Sequence, residues 1–195
     1  MFYKMIETKR NGWLASETCT VKAVIDYIVK TGQMRDAQVE AIKTYLFLKI
    51  ACSCKPLAEL FREGAFNTLD LDDSEVSHST REYLKVNKAA AALFEYACLT
   101  NDVGEQVSPK LEQQIRKEPE SIDCHAFFHK AFYDLSYTDY LFSLPMGAGK
   151  TYLMAAFIYL DLYFARNEPK NSAFAHARIF SDTPSICFVI AILCL

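Results

Sequence analysis

The chain lacks any Cys-x-x-Cys pair, any repeat and any low-complexity tract. Its seven cysteines (Cys19, Cys52, Cys54, Cys98, Cys124, Cys187, Cys194) are odd in number. That pattern excludes a disulfide-stapled secreted scaffold and points to free thiols in the cytoplasm. The start, Met-Phe-Tyr-Lys-Met-Ile-Glu, is too polar for a secretory leader. No basic run is present, lysines and arginines are scattered, and net charge is −3, so the charge balance does not announce nucleic acid. The uncharged tail Ser185–Leu195 falls short of the ~20 apolar residues that span a bilayer, so no membrane role is expected.

What is there is a globular composition, 51% hydrophobic and 23% charged, enough for one domain or two small ones. Apolar spacing and stop signals predict helices over most of the first 135 residues. They run from Val21 to Lys30, from Asp36 to about Cys52, from Pro56, from Thr80 to Thr100, from Ser108, and from Ile122 to Tyr133. Residues 66–79, with Asp70, Asp72, Asp73 and Ser74, read as a solvated turn and not as a metal loop. Cys124, His125 and His129 include an i, i+4 histidine pair, but no Glu follows His125 and no second cluster is in sight, so they read as a helix surface or core edge.

The segment Ser143-Leu-Pro-Met-Gly-Ala-Gly-Lys-Thr151 is of another kind. Tyr140–Leu144 reads as a short buried strand, Tyr152–Arg166 as a helix, and Phe174–Phe180 as a second strand of a parallel sheet. Strand, glycine turn and helix together are the arrangement that holds triphosphates. Gly147 and Gly149 remove Cβ where backbone N–H groups must approach the anion. Lys150 reaches the β- and γ-phosphates, Thr151 offers a hydroxyl to Mg²⁺, and the helix start adds its positive dipole end. The expected binding set is Pro145, Met146, Gly147, Ala148, Gly149, Lys150 and Thr151, with Lys150 and Thr151 as the catalytic pair.

The general loop carries an earlier glycine where this chain has Leu144. The form Pro-x-Gly-x-Gly-Lys-Thr resembles motif I of superfamily 2 helicases and translocases. The stretch from Leu144 to about 180 resembles DEAD/DEAH-box helicase-like proteins, in particular the restriction subunit of type III restriction enzymes. Upstream, Met34-Arg-Asp-Ala-Gln-Val-Glu-Ala-Ile-Lys43 resembles the Arg-x-x-Gln element of the same superfamily, in which a Gln reads adenine. That role would fall on Gln38 with Arg35 as companion, against the alternative of an ordinary surface Gln on an amphipathic helix.

The resemblance implies an α/β fold in two parts. Residues 1–135 would be a mainly helical region and 136–195 the start of a RecA-like domain. It implies ATP and Mg²⁺ as cofactors, DNA as the partner of missing downstream parts, and a modification or nuclease subunit as a further partner. No Asp-Glu-x-[Asp/His] tetrapeptide follows Thr151, so the chain is expected to be an N-terminal fragment with negligible turnover of its own. The alternatives are a small nucleotide-sensing or interaction module and a non-functional remnant. For the tail after about 180, a buried strand and out-of-frame translation both stay open; the resemblance favours the second.

Overall fold

Residues 1–72, 76–133, 140, 142–144 and 146–167 are described by a computed structural model. Their regular structure is helical: α1 (Phe2–Ala15), α2 (Lys22–Thr31), α3 (Asp36–Leu46), α4 (Leu57–Arg62), α5 (His78–Val86), α6 (Lys88–Cys98), α7 (Pro109–Lys117), α8 (Cys124–Ala131) and α9 (Lys150–Asn167). A π-helical turn, Phe47–Ala51, extends α3, and a short 3₁₀ turn, Pro119–Ser121, follows α7.

The expected parallel sheet is not found. Among the described residues there is no strand, only an isolated antiparallel bridge between Thr100 and Gln106. A strand exists only through hydrogen bonds to a partner chain segment. The described residues of the expected first strand, 140 and 142–144, have none. Instead Phe142 and Leu144 pack their side chains against a helical core, and the Tyr140 hydroxyl donates to the Lys55 carbonyl at 2.7 Å. The expected second strand, Phe174–Phe180, and the tail lie outside the described residues.

The helix expected over Thr80–Thr100 is two. Asn87 leaves the helical region (φ −95°, ψ 92°), and its side chain accepts from the Ala90 N–H at 3.0 Å, capping α6. An Asn inside an alanine-rich run offers the backbone this alternative partner, so it starts a new helix. α1 was not apparent in the sequence, because Gly12 and the polar stretch Glu7–Asn11 blur its apolar periodicity.

Contacts divide the chain into two compact units, Met1–Asn11 with Pro56–Ser136, and Gly12–Lys55 with Tyr137–Leu195. In the first unit, Phe2, Phe61, Phe128 and Phe132 gather as an aromatic cluster, with Phe61 stacked on Phe128 at 5.5 Å between centroids. Ala89–Ala92 are all buried on α6, and small side chains there let α4, α5, α7 and α8 pack close. The buried Glu95 carboxylate accepts the N–H groups of Thr68 (2.8 Å) and Leu69 (3.1 Å) and the Thr68 hydroxyl, which ties down the irregular segment after α4. In the acidic turn, Asp70 accepts the Asp72 N–H at 2.9 Å and Asp72 pairs with Lys85 at 2.8 Å.

The second unit is built from α2, α3 and α9. Ile25, Ile42, Tyr45 and Leu46 meet Leu153, Phe157, Leu160 and Phe164 of α9. The α9 residues fall at i, i+4, i+7 and i+11, one helical stripe. Tyr45 stacks on Phe157 with centroids 4.3 Å apart. Burying these four α9 side chains contributes on the order of 6–12 kcal/mol before the entropy of ordering them is subtracted. This stripe fixes the start of α9, and hence the glycine turn, relative to α3.

Candidate functional site

The glycine turn folds as its composition requires. Gly147 and Gly149 have φ +74° and +77°, the left-handed region where a Cβ is strained. A Cβ on Gly147 would meet nothing within 4 Å, so only its backbone sign demands glycine. A Cβ on Gly149 would lie 2.6 Å from the Gln38 Nε2, so it would displace the Gln38 amide from its bond to the Gly149 carbonyl as well. Between them Ala148 is buried, while Met146 is exposed. α9 then begins at once, with Lys150 half-buried and Thr151 exposed in its first turn. Pro145 lies outside the described residues.

The first helical hydrogen bond runs from the Leu153 N–H to the Gly149 carbonyl at 3.1 Å. The first bond within α9 comes from Leu153, so the main-chain N–H groups of Lys150, Thr151 and Tyr152 have no acceptor within the helix. A helix start always leaves such donors. With the ammonium of Lys150 and the dipole of an 18-residue helix, the turn is a donor-rich, electropositive cradle.

Gln38 and Arg35, 111 and 112 residues away in sequence, reach this turn. The Gln38 Oε1 accepts the Arg35 N–H at 2.9 Å, which caps the start of α3. Its Nε2 donates to the Gly149 carbonyl at 3.0 Å. Gln38 is 4% exposed, so both ends of its amide are engaged inside the fold. The Arg35 guanidinium donates to the Gly147 carbonyl. Farther along, the Tyr152 hydroxyl donates to the Gly32 carbonyl at 3.1 Å. The segment 32–38 thus holds the glycine turn at three points. The two sequence elements singled out separately are one structural neighbourhood, and the intervening first unit is what separates them along the chain.

Behind the turn, α9 is locked by a polar cluster that sequence reading missed. Asp161 accepts from the Tyr45 hydroxyl at 2.6 Å and pairs with Lys49 at 2.5 Å. Burial, and then the neighbouring Asp161 carboxylate, keeps the Tyr45 phenol protonated far above the ordinary tyrosine range. Lys49 sits in the π-helical turn four residues after Tyr45, and both side chains reach Asp161. The signal was present: Asp161 is the sole acidic residue of α9 and is flanked by Leu160 and Leu162.

The same cluster limits the chemistry. Asp161, the acidic side chain of α9, is committed to Lys49 and Tyr45. Among the described residues no three His, Cys, Asp or Glu side chains gather as a metal site. His125 accepts at its Nδ1 from the Arg62 guanidinium at 2.7 Å. The Thr151 side chain, in the first turn of α9, is exposed.

No family model matches the chain, and neither the curated proteins nor the solved structures contain a significant match to it. The resemblance therefore stays at the level of the two motifs.

Proposed function

We propose that the chain binds a nucleoside triphosphate with Mg²⁺ through the turn Met146–Thr151. The observation that carries this reading is the pair of left-handed glycines running directly into α9, with Lys150 and Thr151 in its first turn. The main-chain donors of Gly147–Thr151 would cradle the phosphates, Lys150 would neutralise their charge, and Thr151 would hold the metal. Binding is the activity assigned to the turn itself; Asp161, the acidic side chain of α9, is engaged by Lys49 and Tyr45.

On the resemblance of the motifs we infer further that this nucleotide site belongs to a DEAD/DEAH-type, type III restriction-like helicase or translocase that couples ATP hydrolysis to action on DNA. The described cysteines are free thiols, which supports a cytoplasmic setting. No described helix is long and apolar enough to cross a membrane.

The test is equilibrium binding of a fluorescent ATP analogue to the 195-residue chain with and without Mg²⁺. Lys150→Ala should weaken binding at least tenfold at unchanged melting temperature, the loss expected for one charge-assisted contact of about 1.5–3 kcal/mol. Thr151→Ala should abolish the Mg²⁺ dependence. Equal binding by wild type and Lys150→Ala refutes the assignment.

A further inference from the structure

Resting on that phosphate-loop reading, we propose that Gln38 and Arg35 act on the loop and not on a base, so that the site takes nucleoside triphosphates without regard to base. An amide reads adenine by offering one donor and one acceptor to the ring edge. The Gln38 amide is turned inward with the side chain 4% exposed, so its remaining N–H and lone pair do not face a ligand. Its oxygen is taken by the Arg35 N–H at 2.9 Å and its nitrogen by the Gly149 carbonyl at 3.0 Å, inside the fold. Releasing both would strand a buried cap on α3 and a buried polar group, which costs more than one base contact returns.

The two partners also fix the residue type. One is a donor and the other an acceptor, so a carboxylate at position 38 would set oxygen against the Gly149 carbonyl oxygen. An apolar residue would satisfy neither. The Gly149 carbonyl is shared between the first turn of α9, through the Leu153 N–H, and the Gln38 amide. Gln38 therefore orients the peptide that joins the glycine turn to the helix. That peptide carries the Lys150 N–H, one of the donors assigned to the phosphate. Arg35 does the same for the Gly147 carbonyl, whose peptide carries the Ala148 N–H. Both residues are positioning residues, and the ligand feature they prepare for is the triphosphate, which all nucleotides share.

The experiment is calorimetric titration of the 195-residue chain with ATP, GTP, CTP and inorganic tripolyphosphate in Mg²⁺. It is paired with hydrogen exchange of residues 147–150 in the free protein. Wild type should bind the three nucleotides within about threefold of one another, and tripolyphosphate measurably. Gln38→Ala should weaken all four ligands by a common factor of about tenfold, the scale of one net hydrogen bond, and Gln38→Glu by more. Both should speed exchange across 147–150. Arg35 is exposed, so Arg35→Ala should leave the melting temperature unchanged while loosening the same turn, which covers the case in which Gln38 variants fail to fold. A Gln38→Ala effect confined to ATP, or a strong preference of wild type for ATP, overturns the proposal. If wild type binds none of the four, the nucleotide reading fails. The clamp is then judged on exchange alone: faster exchange in Arg35→Ala retains it and unchanged exchange overturns it.

Discussion

Replacing Asp161 by Asn should destabilise the second unit by about 3 kcal/mol. The substitution keeps the size of the side chain and an acceptor for the Tyr45 hydroxyl, but removes the charge that faces Lys49. The Lys49 side chain is 7% exposed and that of Asp161 is 21% exposed, so the ammonium would be left largely out of water. Breaking a buried pair on one side costs about 3–5 kcal/mol. The partial exposure of Asp161 places this case at the low end, because water relieves part of the penalty. Against a typical domain stability of about 5–15 kcal/mol this is a large loss. With a urea dependence of about 1–3 kcal/mol per molar, the midpoint should fall by about 1–3 M. Trp13, the sole tryptophan, packs against Phe47 within the same unit, so its fluorescence reports this unit's unfolding. The double variant Lys49→Met with Asp161→Leu should recover most of the loss, since two apolar side chains carry no desolvation penalty. A loss below about 1 kcal/mol in the single variant, or a double variant that merely adds the two single losses, would refute the reasoning.

The two glycines of the turn should respond differently to alanine. Gly147→Ala should cost about 1–2 kcal/mol from backbone sign alone, whereas Gly149→Ala must also displace the Gln38 amide and should lower the melting temperature clearly further; equal shifts would contradict the packing described. The thiols of Cys52 and Cys98 are pushed up to about 12 and about 11, by burial first. Only thiolate reacts, so at pH 8 both should be alkylated by iodoacetamide at least tenfold more slowly in the native chain than in urea, read site by site by mass spectrometry. Native rates matching those in urea would show that these groups are open to solvent.

Much of the helical content was legible in the sequence. α2, α3, α4 and α7 begin or end at residues that announce it, Gly32, Asp36, Pro56 and Pro109, while α9, expected from Tyr152, starts two residues earlier at Lys150. Legibility failed where a residue's role depends on context. Asn87 reads as one polar residue in a helical run, and becomes a cap only when its side chain turns to the Ala90 N–H. Phe142 and Leu144 read as strand because apolar runs of that length suit a strand or a packed segment equally. The choice rests on whether a partner strand supplies hydrogen bonds, and among the described residues none does.

For the candidate site, the chain's own pattern determined the turn. Two glycines spaced by one residue and followed by Lys-Thr dictate local geometry, because left-handed φ and a helix start are properties of neighbouring residues. The tertiary structure alone decided what holds that turn. Gln38 and Arg35 meet it across more than 100 residues, and Lys49 reaches Asp161 through a π-helical turn. Hydrogen bonds and ion pairs act over about 3 Å, a separation set by how α3 and α9 bury their apolar stripes against each other and unrelated to spacing along the chain.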